Sequence, residues 1–283
     1  MKNLRKVLSV FALVMVAMMA VTLIPATKTE AATTKKHSYS GVDYVLKVGK
    51  TKQLPKKSGV KWSSDNKKVA TVTQTGKVKA KSGGTAVITA TTSSGYTCEY
   101  EIGVQSRKYY PNIDEKMKVG KDIPAGQYVL IRDTKCSSTF GYWDLKASDG
   151  SSFDSDLFSY TAIVTVTKGQ TLEYNGAYAV PLKYTPKSMF SVKKVNKYMG
   201  YDDATVIVGY GFPAGTYTFT LKKGCTLAYV NVADFDPTTK KHDFFGTRYS
   251  TYETLKSSKT SITVTLKKGQ YLETESCTIK KVK

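Results

Sequence analysis

The sequence predicts an all-β protein made of several small sandwich-like domains. Three observations support this fold class: Thr, Ser, Val, Tyr and Gly are the most frequent uncharged residues, runs of the helix-favouring residues Ala, Leu and Glu are absent, and turn residues recur every several positions. Such a chain favours short strands separated by tight turns. Beyond the N-terminal segment about 250 residues remain, which is enough for two or three domains.

The N-terminal segment has the organisation of an export signal. Basic residues within 2–6 precede an apolar stretch at 7–24 and a small-residue stretch at 26–32. This order predicts a secretory signal peptide over residues 1–32. The alternative is a membrane anchor, because the apolar stretch is nearly long enough to span a bilayer. The polar flank favours cleavage, so we expect a flexible tail at 33–40, no membrane span after cleavage, and a secreted or cell-wall-associated protein.

The charge is strongly positive throughout. The whole chain carries 43 basic and 22 acidic residues, and removal of residues 1–32 leaves 39 and 21, a net charge of +18. Such a charge favours anionic partners, which for an exported protein are wall polymers, acidic glycans and lipid headgroups. Specific nucleic-acid binding is disfavoured because the lysines are spread over every segment. The alternative is a solvated surface that only keeps the protein soluble.

The first domain is predicted over residues 41–105. Apolar residues alternate at Tyr44, Leu46 and Val48, and the alternation resumes at Val60 and Trp62. Glycines separate the later alternating stretches and mark turns. Six or seven short strands in about 65 residues predict a small sandwich or barrel.

Three strings in this segment carry a family resemblance. They are LKVGKTKQL at 46–54, VKWSSDNKKVATVTQTGKVKAKSGGTAVITA at 60–90 and CEYEIGV at 98–104, and they closely resemble the bacterial Ig-like domain, group 2. The resemblance implies an Ig-like sandwich of the kind found in invasin- and intimin-type adhesins, a spacer or adhesive module without an active site. Trp62 is then expected in the core, with a ligand-binding Trp as the alternative, and Cys98 is expected as a buried single thiol.

An internal repeat follows. VGKDIPAGQYVLI at 119–131 is echoed by VGYGFPAGTYTF at 208–219, and TVTKGQTLEY at 165–174 is echoed by TVTLKKGQYLET at 263–274. We therefore predict two copies of one β-sandwich or jelly-roll-like domain, at residues 113–183 and 200–283. Pro-Ala-Gly and Lys-Gly-Gln are the expected turns. The sequence of these two copies resembles an uncharacterised repeat of exported Gram-positive proteins. The resemblance implies a β-rich architecture and an extracellular location but no chemistry.

Aromatic residues in the predicted loops of the repeats are the candidate ligand-binding residues. The first copy offers Tyr142 and Trp143, and the second offers Phe244, Tyr249 and Tyr252. Aromatic faces on such loops can stack against the apolar faces of sugar rings. The alternative is that these side chains plug the open end of a sandwich.

A metal site is the second candidate. Asp149, Asp154 and Asp156 lie in the string SDGSSFDSD, and hard oxygen ligands on a loop suit Ca²⁺. The spacing does not fit an EF-hand, so a polar turn is the alternative.

The cysteines predict a disulfide in the second copy. Cys136 and Cys225 each lie 12 residues after the Pro of their repeat, whereas Cys277 corresponds to Ala177 in the first copy. A Cys225–Cys277 disulfide is therefore expected, and export would permit its oxidation. Reduced, buried thiols are the alternative.

Catalytic machinery is not visible in the sequence. Beyond the signal peptide the two histidines, His37 and His242, lie in no nucleophile motif, and the four cysteines lack zinc-finger spacing. We therefore predict a non-enzymatic protein in which an Ig-like adhesion or spacer module carries tandem β-domains. Those domains are expected to bind an extracellular glycan, an anionic wall polymer or a surface protein. A purely structural envelope component and an exported hydrolase are the alternatives.

Overall fold

The computed structural model describes residues 42–55, 57–112, 116–134, 136, 138–198, 204–234 and 249–282. For Phe153, Tyr249, Ser250 and Tyr252 only the backbone is described. The predicted signal peptide and tail lie outside these residues. Nearly all of the regular secondary structure in the described residues is β-strand, which confirms the predicted fold class. No helix within the described ranges is long and apolar enough to cross a membrane.

Seven strands form the first domain as two facing sheets. One sheet has the order β1-β7-β6-β3, with β1 parallel to β7, and the other has the order β2-β5-β4. The strands are β1 (Tyr44–Lys47), β2 (Thr51–Gln53), β3 (Val60–Ser64), β4 (Ala70–Val72), β5 (Lys77–Ala80), β6 (Gly84–Thr92) and β7 (Thr97–Gln105).

Trp62 anchors the core between these sheets. Its side chain is 4% exposed and stacks on Tyr100 with ring centroids 6.0 Å apart. Gly76 has a positive φ, and a Cβ there would lie 2.9 Å from the Trp62 ring, so a glycine lets the turn close over the indole. The prediction that Trp62 is a core residue is confirmed. Cys98 is only partly buried in β7, so the prediction of a buried thiol is wrong.

The next seven strands form a sandwich of four plus three strands. Its sheets have the orders β11-β10-β13-β8 and β12-β9-β14. The strands are β8 (Met117–Lys118), β9 (Gly126–Arg132), β10 (Gly141–Lys146), β11 (Ser152–Phe158), β12 (Thr161–Val166), β13 (Thr171–Asn175) and β14 (Ala177–Pro181).

The last seven strands repeat this arrangement. Their sheets have the orders β15-β20-β17-β18 and β19-β16-β21, which match the preceding sandwich strand for strand. The strands are β15 (Ala204–Ile207), β16 (Gly215–Leu221), β17 (Ala228–Ala233), β18 (Tyr249–Leu255), β19 (Ser261–Leu266), β20 (Tyr271–Glu275) and β21 (Cys277–Lys281). We call the two sandwiches the first and second repeat.

The sequence landmarks make equivalent contacts in both repeats. The hydroxyl of Tyr128 donates to the Pro124 carbonyl at 2.8 Å, and that of Tyr217 donates to the Pro213 carbonyl at 2.7 Å. Each Lys-Gly-Gln forms the expected turn, closed by the Gln side chain. The tight turn near Pro-Ala-Gly lies slightly earlier than predicted, since the Gly120 amide donates to the Ile123 carbonyl before the proline.

Alternate side chains of β9 serve two different cores. Tyr128 and Leu130 point into the first repeat, whereas Val129 and Ile131 join the apolar cluster that contains Val206 of the second repeat. A strand covered on both faces needs a continuous apolar run, which explains the string YVLI. The two repeats therefore share a buried interface.

The segment between the repeats is ordered by packing. It contains two 3-10 turns, Leu182–Tyr184 and Lys187–Phe190, followed by helix α1 (Val192–Tyr198). Val195 is fully buried, and the Asn196 side chain both donates to the Ile279 carbonyl and accepts from the Ile279 amide, each at 2.8 Å. The composition gave no reason to expect this helix, which is positioned by its contacts with β21.

Candidate functional site

The aromatic candidates do not form one loop platform. Trp143 lies in β10 with 3% of its surface exposed and belongs to the first repeat's core, so its prediction as a ligand-binding residue is wrong. Tyr142 points to the other face of the strand and is half-buried, and burial raises the pKa of its phenol. Phe244 lies outside the described residues. Tyr249 and Tyr252 lie on β18, but their side chains are outside the described part, so both remain predictions.

The predicted calcium site is not formed. The Asp149 carboxylate accepts hydrogen bonds from the Ser151 amide at 2.9 Å and the Ser151 hydroxyl at 2.6 Å, which is the polar-turn alternative. Asp154 and Asp156 lie beyond that turn, on β11. No group of three or more metal-binding side chains exists among the described residues.

The predicted disulfide is also not formed. Cys225 and Cys277 are both thiols and are not bonded to each other. Cys277 is buried at the start of β21, where its sulfur lies 3.7 Å from the Tyr229 carbonyl oxygen. Burial is the main cause that raises the pKa of this thiol to about 11, so the thiolate needed for exchange is scarce at neutral pH. Neither His37 nor His242 lies within the described residues.

The strongest candidate site is a groove where the segment after β7 meets the segment after β14. Tyr110 bonds to Ala179 in both directions, amide to carbonyl, at 2.9 Å each. This pairing holds residues 106–110 beside the 3-10 turn that begins after Pro181. Arg107 and Lys108 lie in the tight turn that Ser106 and Tyr109 close. As a result, two basic segments distant in sequence line one surface.

We call this surface the basic groove. Its volume is about 500 Å³, and its lining includes Arg107, Lys183 and Tyr184. Tyr184 is 40% exposed, and the ammonium groups of Lys108 and Lys183 each lie 5.1 Å from the centre of its ring. Among the described residues that line the groove none is a carboxylate. The groove therefore combines an accessible aromatic face with three cations, at Arg107, Lys108 and Lys183, that form no ion pair with the carboxylates of the described residues.

Much of the remaining groove lining is apolar. The Pro124-Ala125-Gly126 segment, Tyr128 and Pro181 contribute to it. Tyr128 and Tyr110 contact edge to face, with ring centroids 5.8 Å apart. Burial raises the pKa of the Tyr110 phenol, and the positive charge of Arg107 acts in the opposite direction, so the phenol stays neutral. An apolar lining with a cationic rim suits a ligand that has both sugar-ring or polyol faces and negative charge.

A second cleft, between the first domain and the first repeat, is less suited to a ligand. It has a volume of about 580 Å³ and contains Arg132 and Tyr160. The Arg132 guanidinium already donates to the carbonyls of Thr139 at 2.6 Å and Ser138 at 3.0 Å. The Tyr160 hydroxyl donates to the Met189 carbonyl at 2.8 Å. Because these groups already donate hydrogen bonds within the protein, they are less available to bind a ligand in this cleft.

Sequence reasoning missed the basic groove because one side lies between the predicted first domain and the first repeat, and the other side lies at the end of the predicted first repeat. The signal was present as basic residues next to tyrosines, in RKYY at 107–110 and LKY at 182–184. The long-range pairing of Tyr110 with Ala179 brings the two strings together.

Comparison with known proteins supports the family resemblance of the first domain. The model of the bacterial Ig-like domain (group 2) family matches residues 21–99, which confirms the resemblance for that segment. No curated protein matches the chain.

Three solved structures show weak likenesses, each with a TM-score of 0.17. The Bacteroides ovatus mixed-linkage glucan utilization locus protein SGBP-B, in complex with a mixed-linkage heptasaccharide, is 10% identical. The match covers 52% of this chain and 51% of that one, about half the length of that protein. The CBM51-2 and INT domains of Clostridium perfringens ZmpB, with GlcNAc, are 12% identical over 80% of this chain and 37% of that one. The CBM22-1-CBM22-2 tandem of Paenibacillus barcinonensis Xyn10C is 10% identical over 84% and 99%. Likenesses of this size carry no conclusion about the ligand.

Proposed function

We propose that this is a non-enzymatic extracellular protein that binds an anionic glycan or wall polymer through the basic groove. The observation that carries the proposal is the exposed ring of Tyr184, whose centre lies 5.1 Å from the ammonium groups of both Lys108 and Lys183, with Arg107 in the same groove. Stacking of a sugar or polyol face on the ring would orient the ligand, and the cations would pair with its phosphate or carboxylate groups.

The overall charge supports this role. The net charge of +18 without residues 1–32 raises the local concentration of a polyanion and speeds its encounter with the groove. Exposed charges are screened over about 8 Å at physiological salt, so the overall charge alone gives only weak, salt-sensitive retention. The groove supplies the contact that salt does not remove, because stacking on Tyr184 is not ionic.

The test is retention of residues 33–283 on purified cell walls, with and without their anionic polymers, across a salt series. We expect Tyr184→Ala to weaken binding about tenfold at high salt, which corresponds to about 1.4 kcal/mol. The matched control is Tyr96→Ala, because Tyr96 is a highly exposed tyrosine of the first domain outside the groove. The double variant Lys108→Gln, Lys183→Gln should lose more affinity than the double variant Lys61→Gln, Lys79→Gln, which removes two exposed charges of the first domain.

Each outcome separates the alternatives. Equal losses for the groove and control variants would mean that net charge is the whole attraction. Retention independent of the anionic polymers would shift the ligand to a neutral glycan or a surface protein. An absence of retention under all conditions would favour a purely structural envelope component.

A further inference from the structure

A buried carboxyl group lies where the two repeats meet. Glu273 is 7% exposed on β20, between Thr205 of β15 and Asn231 of β17. The Asn231 side-chain amide donates to the Glu273 carboxyl oxygen at 3.2 Å. Asn231 is itself 8% exposed, and its side-chain oxygen accepts no hydrogen bond from the described residues.

Direct contacts between the repeats lie next to Glu273. The Thr161 hydroxyl of the first repeat donates to the Thr205 carbonyl at 3.1 Å. The Gln127 side-chain amide donates to the Tyr271 hydroxyl at 2.6 Å. Thr205 pairs with Glu273 and Tyr271 lies two residues before it, so Glu273 lies in the seam that holds the repeats together.

The charges that act most strongly on Glu273 are negative. Asp156 and Asp154 act on it from β11 of the first repeat, and Glu275 acts on it from two residues along its own strand. The neighbours on β15 and β17 are the uncharged Thr205 and Asn231. We call Glu273, Asn231, Asp154, Asp156 and Glu275 the acidic seam.

This environment disfavours ionisation. Burial is the main cause that raises the pKa of Glu273 to about 7, the Asn231 hydrogen bond opposes it, and the charges of Asp156 and Asp154 add to it. Burial also raises the pKa of Asp156. Both carboxyl groups therefore hold protons to a higher pH than free side chains do.

We propose that the acidic seam makes the docking of the second repeat on the first pH-dependent, closed when Glu273 is protonated and loosened when Glu273 ionises. Ionisation places a charge in a buried position where the uncharged Asn231 amide donates to it and two carboxyl groups act on it from the first repeat. Opening the seam returns that charge to water, so ionisation favours the open arrangement.

The direction of the effect follows from proton linkage. The pKa of Glu273 in the closed protein lies above its ordinary value of 4.5. The closed state therefore binds more protons than the open state between these two pH values. The stability of the seam is fully present below the ordinary pKa and falls as the pH rises to about 7.

Hydrogen exchange of the full chain tests the proposal. Peptides covering 159–166 and 204–207 report on opening of the seam once intrinsic exchange rates are corrected for pH. We expect protection to fall at least about tenfold between about pH 5 and pH 8. Glu273→Gln should remove this dependence, because an amide keeps the shape of the protonated carboxyl group without its titration. Glu173→Gln, the matched change in the first repeat, should leave the dependence of the seam unchanged.

Two results would overturn the proposal. One is a pH dependence of seam protection that persists in Glu273→Gln. The other uses the unaltered protein and does not require the variant to fold: a carbon-13 NMR titration that gives Glu273 an ordinary pKa. Neither result depends on binding by the basic groove, which lies elsewhere on the first repeat.

Discussion

The two repeats place a glutamate at the same point of the same sheet but give it opposite surroundings. In the first repeat, Lys146 lies 2.8 Å and Lys116 3.4 Å from the Glu173 carboxylate, and their contacts lower its pKa. In the second repeat, Glu273 has an amide neighbour and a pKa of about 7. One fold position therefore holds either an ion pair or a proton-binding interface residue.

Three matched positions account for the difference. Asp144 pairs with Glu173 across the sheet as Asn231 pairs with Glu273. Lys146 corresponds to Ala233 two residues further along that strand. Strand β8 pairs with β13 as β15 pairs with β20, which matches Lys116 to Thr205. The second repeat has lost both lysines at the face where it contacts the first repeat. Removal of long charged side chains suits a surface that must approach another domain closely.

The largest expected effect on stability comes from a substitution in the core of the first repeat. The two cores differ at the residue that precedes Asp144 and Asn231. Trp143 fills the first repeat where Val230 fills the second, since each precedes the matched Asp144 or Asn231. We expect Trp143→Val to reduce the free energy of unfolding by about 3 kcal/mol, because the neighbours in the first repeat leave a cavity around the smaller side chain. Urea unfolding measures it. Tyr96→Ala, at an exposed position, should stay within about 0.5 kcal/mol. A similarly small loss for Trp143→Val would mean that the two cores are interchangeable.

The sequence predicted what depends on local pattern. Period-two alternation identified the strands, and matching strings identified the repeat. Each of these signals can be read from a few consecutive residues. Trp143 was misplaced since the string YWDLK alternates ambiguously when both strand faces are partly covered. The roles of Tyr184 and Glu273 could not be predicted, because each depends on segments that only the folded chain brings together.

The next largest effect is expected from a substitution that gives the second repeat a residue of the first repeat. Asn231→Asp restores the carboxylate found at Asp144 without the lysines that accompany it. We expect a loss of about 2 kcal/mol at about pH 8, where two adjacent buried carboxylates would both be charged. At about pH 5 the loss should be smaller, since one of the two groups can take up a proton. Chemical unfolding at both pH values measures this loss of stability.

The reciprocal variant Asp144→Asn should lose less stability, because Lys146 and Lys116 still compensate the charge of Glu173. Equal costs in the two repeats would contradict the comparison.

The smallest effect concerns the ion pair of the first repeat and has the opposite pH dependence. Lys146 and Lys116 lower the folded pKa of Glu173, so this carboxylate adds stability above its ordinary pKa of 4.5 and loses it as the pH falls. The group is partly exposed, and screening limits the expected cost of Glu173→Gln to about 0.5 kcal/mol at neutral pH. The variant and the unaltered protein should converge in stability as the pH falls below the folded pKa of Glu173, where the carboxylate is protonated. Thermal unfolding across this pH range provides the measurement. The counterpart is Glu273→Gln, which we expect to gain stability relative to the unaltered protein as the pH rises. If both variants shifted in the same direction with pH, the opposite electrostatics of the two glutamates would be refuted.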